Sequence, residues 1–229
     1  MSKAADFYAT GKMPEAEKMI LYNLEKFPGF LPGKDEAFMK LGEINYRKGD
    51  IQKAEQFFHQ ALNVNSKLAL PLFRLGLIRD REGRPSDAID YFEKALKTGA
   101  DDIKMQLEIK ENLAAALYRY GLQHEMYADW ETAGKQYARI LEIYPDFPEA
   151  VHAMGSILAR QKKYNEALTF YKRAIEMNPE LAVLYNDVSG LLMKLGKFKE
   201  AKAYQQKYDE LMKEMVTSEE EEVLEGISK

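Results

Sequence analysis

"LGEINYRKGDIQKAEQFFHQAL", residues 41 to 62, is the most patterned stretch of the chain. The pattern is built from small and aromatic residues: Leu41-Gly42, a Gly49-Asp50 breaker, then Ala54, Phe58 and Ala61. Steps of four and three residues place Ala54, Phe58 and Ala61 on one face of a helix, and the Gly-Asp pair separates that helix from the one before it. The stretch offers no nucleophile and no set of metal ligands, so its regularity serves packing.

The same arrangement recurs along the chain. Ala16-Ile20, Ala54-Phe58-Ala61, Ala88-Phe92-Ala95, Ala133-Tyr137-Ile140, Ala167-Tyr171-Ala174 and Ala201-Gln205 lie 38, 34, 45, 34 and 34 residues apart, and a fixed period of this size marks a repeat architecture. Upstream of each sits a large residue, a second three positions on, and then a small one: Phe38, Leu41, Gly42; Leu72, Leu75, Gly76; Leu117, Tyr120, Gly121; Val151, Met154, Gly155; Tyr185, Val188, Ser189. Gly49-Asp50, Gly83 and Gly196, with Ala128-Asp129 and Lys162-Lys163 in the equivalent places, separate the halves. Each unit therefore reads as helix, tight turn, helix. The glycine of the first helix and the alanine of the second mark where helices cross too closely for larger side chains. Pro28, Pro145 and Pro179 follow the second helices and stop them.

These residues resemble the tetratricopeptide repeat, over roughly residues 4 to 215. The resemblance implies an all-α fold, a right-handed α-solenoid of tandem helix-turn-helix repeats with a concave groove lined by the first helices, and a protein or peptide as ligand. The repeats fall at about 1–30 (partial), 35–68, 69–102, 103–147, 148–181 and 182–215, the last a cap. Residues 1–215 read as one superhelical domain and 216–229 as a flexible acidic tail.

Three departures from the pattern carry information. The first unit has a good second helix, with Pro14 suited to its first turn, but only a stub before Gly11. That leaves Phe7, Tyr8, Met19, Ile20 and Leu24 partly uncovered, as a ragged cap or as a docking edge for another copy. The 45-residue interval holds 11 extra residues with no Pro or Gly until Gly121, close to three helical turns. The spacing predicts one long helix from about Asp102 to Tyr127, overhanging its neighbours with Ile103, Met105, Leu107 and Ile109. After Ala201 the last helix turns polar, as a solvating cap should.

Charge separates the tail from the body. Residues 216–229, "VTSEEEEVLEGISK", hold five Glu and one Lys and so carry the whole net charge of −4, leaving residues 1–215 balanced. A neutral body lacks the basic excess that phosphate contacts require, which argues against nucleic acid as a partner. With no cysteine there is no disulfide, no thiolate and no zinc ribbon, in keeping with a reducing compartment. The N-terminus lacks the apolar run of a signal peptide, and no run of about 18 apolar residues exists to span a bilayer. The chain reads as soluble and cytoplasmic, meeting a membrane only through a partner.

No catalytic, cofactor or metal constellation is visible. His59, His124 and His152 occupy unrelated repeat positions without a second ligand at helical spacing. No phosphate-binding loop or G-x-S-x-G setting occurs, and Ser156 falls inside a helix. The expectation is a protein that is not an enzyme and needs no cofactor.

Mapped onto this sequence, the family's inward face gives Met39, Glu43, Tyr46 and Arg47; Phe73, Arg74, Leu77 and Arg81; Tyr118, Arg119, Leu122 and Met126; His152, Ser156 and Arg160; Asn186 and Met193. Aromatic and Met surface interleaved with Arg suits a peptide carrying both acidic and apolar side chains. One family variant holds the carboxylate terminus of chaperones with a fixed set of Lys, Asn and Arg. Here the corresponding residues are Met39, Glu43, Arg74, Ala115 and Arg119, or Phe73, Leu77, Arg119, Glu149 and Ala153, and neither set is such a clamp. Two function classes follow. One is an adaptor or scaffold that binds a segment of a partner protein and assists complex assembly. The other is a self-assembling module, resembling the repeat scaffolds that coat bacterial organelles. It would make homo-oligomer contacts through Phe7, Tyr8, Met19 and Ile20, or through the tail, whose acidic run with Val223 and Leu224 has the composition the Arg-lined groove favours.

Overall fold

Tight turns of one kind punctuate the chain. At Gly49 the backbone turns left-handed (φ 82°), its N–H bonds back to the Tyr46 carbonyl at 3.1 Å, and the Asp50 N–H reaches the Asn45 carbonyl at 2.9 Å. This pair of bonds satisfies carbonyls that the preceding helix leaves unpaired. The same two bonds recur at Gly11, Gly83, Ala128, Lys162 and Gly196, each with positive φ. At Asp50 and Asp129 the residue after the turn caps the next helix through its carboxylate.

The computed structural model describes the backbone of residues 7–8, 10–27, 33–99 and 102–227, with side chains up to residue 216. Among these are helices α1 (Met13–Lys26), α2 (Lys34–Lys48), α3 (Ile51–Val64), α4 (Ala69–Arg81), α5 (Pro85–Lys97), α6 (Ile103–Met126), α7 (Trp130–Ile143), α8 (Pro148–Arg160), α9 (Tyr164–Met177), α10 (Ala182–Lys194) and α11 (Phe198–Ile227), and no strand. After α1 they pair as α2/α3, α4/α5, α6/α7, α8/α9 and α10/α11, the tandem helix-turn-helix repeats of an all-α solenoid fold.

Within each pair a ring fills the space that a glycine leaves. A Cβ on Gly42 would lie 2.4 Å from the Phe58 ring, on Gly76 2.5 Å from Phe92, on Gly121 2.5 Å from Tyr137 and on Gly155 2.6 Å from Tyr171. These rings are buried, each contributing roughly 2 to 3 kcal/mol of apolar burial. In the last pair Gln205 replaces the ring and Ser189 the glycine; the Ser189 hydroxyl donates to the Ala201 carbonyl at 3.0 Å.

The internal contacts gather into two compact units, residues 1–116 and 117–229, divided within α6. In the first unit, Ala16, Ile20, Ala37, Leu41 and Ile44 form a core against which Phe7, Tyr8, Met19 and Phe38 pack, and Ala54, Phe58, Leu75 and Ile78 form another. In the second, Ala167, Tyr171, Val188, Leu192 and Ala201 join α9, α10 and α11.

The long helix α6 exposes Ile103 (73 %) and Leu107 (50 %), while Ile109 is fully buried, so of the four residues expected to overhang, Ile109 belongs to the core. Helix α11 runs on to Ile227 and so includes the acidic stretch. Glu is a good helix former, and no Gly or Pro intervenes before Gly226.

Candidate binding surfaces

In the first unit the first helices of successive repeats, α2 and α4, bring aromatic and cationic groups together. Two guanidinium groups approach the Tyr46 ring, Arg74 at 5.1 Å and Arg81 at 5.6 Å from its centroid, distances at which a cation is held by the ring. The Tyr46 hydroxyl is buried without a hydrogen-bond partner among the described residues. Arg47 and Arg81 are exposed, and among the described residues neither forms an ion pair. Met39 and Leu77, on the same two helices, are half-buried.

Two residues expected on this face are committed elsewhere. Phe73 is 1 % exposed, its ring 5.8 Å from that of Phe92, and belongs to the core. The position faces the second helix of its own repeat, which the mapping did not distinguish from the inward face. Arg74 donates from Nε and Nη2 to the two carboxylate oxygens of Glu43, at 2.6 and 3.1 Å. Burial works against the Arg74 charge, but the hydrogen bonds and charge of Glu43 outweigh it, and the guanidinium pKa rises above its ordinary value. Arg74 thus joins repeats. The Tyr8 side chain sits within the field of these groups: burial first, then the Glu43 carboxylate, raises its pKa, against Arg47, Lys40 and Arg74.

The second unit contains a pocket with a cavity volume of about 120 Å³, lined by Tyr118, Pro148, Glu149, His152, Ala174, Asn178, Leu181 and Leu184. Of these, sequence mapping named Tyr118 and His152. The others come from helix starts, the α9–α10 connection and a second helix, places that an inward-face register on first helices does not reach. Tyr118 packs against Tyr137 and Phe147 at 5.7 and 6.3 Å between centroids. His152 Nε2 lies 2.7 Å from Asp187 Oδ2. Arg160 stacks on Trp130 at 4.0 Å. Leu122 and Met126 are exposed, Met126 by 84 %, and Arg119 is exposed as well; none of the three lines the pocket.

Of the residues expected as self-assembly contacts, Phe7 and Tyr8 are half-buried against α1 and α2, and Met19 is half-buried. Ile20 is 2 % exposed and is a core residue, because it follows Ala16 by one helical turn on the inner face of α1. The Val223 and Leu224 side chains, and residues 1–6 of the stub, lie outside the described residues. Unforeseen were Leu21, Tyr22 and Phe27, large residues 43 to 52 % exposed on and just beyond α1. Among the described residues no group of three or more His, Asp or Glu could hold a metal ion, and no helix is long and apolar enough to cross a membrane.

Comparison with known proteins places this architecture. Tetratricopeptide repeat profiles match residues 2–67, 72–104, 115–146, 148–181 and 182–211. The DnaJ homolog subfamily C member 7 homolog of Schizosaccharomyces pombe is 27 % identical over 134 residues, covering 53 % of this chain and 27 % of that protein. The chain thus spans about a quarter of the length of this curated relative. Among solved structures, that of MamA superposes with a TM-score of 0.54 at 19 % identity, covering 82 % of this chain and 96 % of MamA. YrrB, described as a TPR protein with an unusual peptide-binding site, gives 0.53 at 18 % identity, covering 84 % of this chain and 91 % of YrrB. At these identities the likeness is one of fold, a fold that typically serves as a non-catalytic interaction module. Repeat profiles along most of the chain, the recurrent glycine-ring pairs and these structural neighbours agree: the chain belongs to the tetratricopeptide repeat family.

Proposed function

We propose that this protein is an adaptor that holds an acidic-apolar segment of a partner protein on the α2/α4 face of its first unit and so assists assembly of a complex. The observation that carries this reading is the arrangement around Tyr46: Arg81 on its ring and Arg47 one residue along α2, with half-buried Met39 and Leu77 on the same two helices. A guanidinium outside any ion pair can fork onto a carboxylate, while the thioether and aliphatic surface accepts an apolar side chain. Such contacts at an exposed rim act strongly on the rate of encounter and weaken with salt. The test is fluorescence anisotropy with an end-blocked peptide of Glu residues around a central Leu, titrated with the full chain. Arg47→Ala with Arg81→Ala is expected to weaken binding about tenfold, roughly 1.4 kcal/mol. Equal affinity for a peptide with Lys in place of every Glu would count against the reading, as would no binding at all.

A second reading, self-assembly, is favoured by the exposed apolar residues Leu21, Tyr22 and Phe27 at α1 and by the acidic continuation of α11, whose charge complements Arg47 and Arg81. Mass measured by light scattering across a range of concentrations distinguishes it. A single-chain mass throughout leaves the adaptor, and growth with concentration that is lost on deleting residues 216–229 points to the tail.

A further inference from the structure

The pocket of the second unit has the opposite electrical character to the face around Tyr46. Its rim carries the exposed Glu149 carboxylate at the first turn of α8. Its other ionisable lining group besides Tyr118, His152, is held by Asp187 at 2.7 Å. A carboxylate can only accept, so His152 Nε2 donates to Asp187, and the pair carries a net charge of zero or −1 whichever form the imidazole takes. It never offsets Glu149. The field is felt inside the pocket: burial raises the Tyr118 hydroxyl pKa, and the Glu149 and Glu125 carboxylates raise it further. The rest of the lining is mixed, with apolar surface from Pro148, Ala174, Leu181, Leu184 and the half-buried Tyr118 ring beside the Asn178 amide. A cavity of about 120 Å³ is small for a whole ligand and suits a single side chain of a bound segment.

We propose that this pocket binds a large apolar side chain of a basic segment, the side chain seated on Leu181, Leu184 and Tyr118 and flanking Lys or Arg residues facing Glu149 and the His152–Asp187 pair. This rests on the reading of the chain as a protein-binding module but not on the α2/α4 site, whose ligand has the opposite charge. The protein's own acidic terminal stretch is an unsuitable occupant for the same reason. The chain then presents two sites of different specificity and can hold two unlike segments.

The test uses the full chain and two end-blocked peptides of equal length around a central Leu, one flanked by four Lys and one by four Glu, followed by fluorescence anisotropy. In the Arg47→Ala, Arg81→Ala background, the Lys-flanked peptide is expected to bind at least tenfold more tightly than the Glu-flanked one. Glu149→Lys is expected to remove that preference, and Leu181→Ala or a central Ala in the peptide to weaken binding several-fold. Glu149 and Leu181 are both exposed, so these changes leave the fold intact, which circular dichroism verifies. Equal binding of the two peptides in that background, or an affinity unmoved by Glu149→Lys, overturns the proposal. Failure of the Glu-flanked peptide to bind the unaltered chain strikes the α2/α4 reading and leaves this one standing.

Discussion

Glu43 and Arg74 form a two-point ion pair between α2 and α4, with the Glu43 side chain only 4 % exposed. The carboxylate spends both oxygens on one guanidinium and has little access to water. Removing the cation strands a buried charge, which costs far more than the pair is worth against an apolar replacement. Arg74→Met is therefore expected to destabilise the protein by about 3 kcal/mol, and Glu43→Leu combined with Arg74→Met to recover most of that loss. Urea unfolding followed by circular dichroism measures both. A single variant as stable as the parent would show that water reaches Glu43 and that the pair is not what joins these helices.

The glycines of the first helices divide into two kinds with opposite expected effects. At Gly155 a Cβ would meet the buried Tyr171 ring at 2.6 Å, a distance at which the ring must shift. At Gly190, in the interior of α10, nothing lies within 4 Å. Gly155→Ala is expected to lose about 2 kcal/mol, overpacking exceeding the gain in helix propensity, whereas Gly190→Ala is expected to gain about 0.5 to 1 kcal/mol from propensity alone. The signs of the two changes in urea midpoint decide the matter, since packing and propensity separate only when compared at both sites.

Much of this architecture was legible because repeat packing is periodic. Gly42, Phe58 and their equivalents recur at a fixed spacing, and a ring that fills a glycine's vacancy leaves its mark in every repeat. The long helix expected over 102–127 appears as α6, for the same reason: 11 residues restore the helical face. What periodicity could not reveal is the partner of each side chain. Met39 and Phe73 occupy the same position, 34 residues apart, of successive first helices, yet Phe73 packs on Phe92 and Met39 is half-buried, a difference that residue identity and local packing decide and spacing cannot. Arg74 reads as a free cation until Glu43, 31 residues away, is seen to hold it. Leu181 and Asn178 line the pocket from a connection between helices, where no repeat signature operates.

Two turns carry a residue whose side chain opposes the backbone. Ala128 and Lys162 have φ of 58° and 61°, the conformation that glycine holds at 49, 83 and 196 in the equivalent turns. A Cβ in this region crowds the following carbonyl oxygen and costs about 1 kcal/mol or more. Ala128→Gly and Lys162→Gly are each expected to stabilise the protein by about 0.5 to 1 kcal/mol, the relief of strain exceeding the added freedom of the unfolded chain. Being more than one helix apart, they are expected to act additively in the double variant, measured as the thermal and urea midpoints. No gain at either site would mean that neighbouring packing, and not the turn, sets the backbone there.

Alkaline stability tests the environment of Tyr137. Its ring is fully buried behind Gly121 and its hydroxyl donates to Glu125 Oε1 at 2.6 Å. Burial first, then the hydrogen bond and charge of Glu125, push its pKa far above the ordinary value of 10.0; burial raises Tyr171 as well. A folded-state pKa above the unfolded one means that the native form holds its proton longer. The stabilisation is thus complete below about pH 10 and is lost as pH climbs from there toward the folded-state value. Urea midpoints are expected to hold steady from pH 7 to 9 and to fall steeply above 10. Tyr137→Phe is expected to cost about 1 kcal/mol at pH 7 through the lost hydrogen bond, and to fall less steeply above pH 10 than the parent. If the two chains lose stability in parallel as pH rises, the Tyr137 hydroxyl is reached by solvent in the native state, and its contact with Glu125 does not govern its proton.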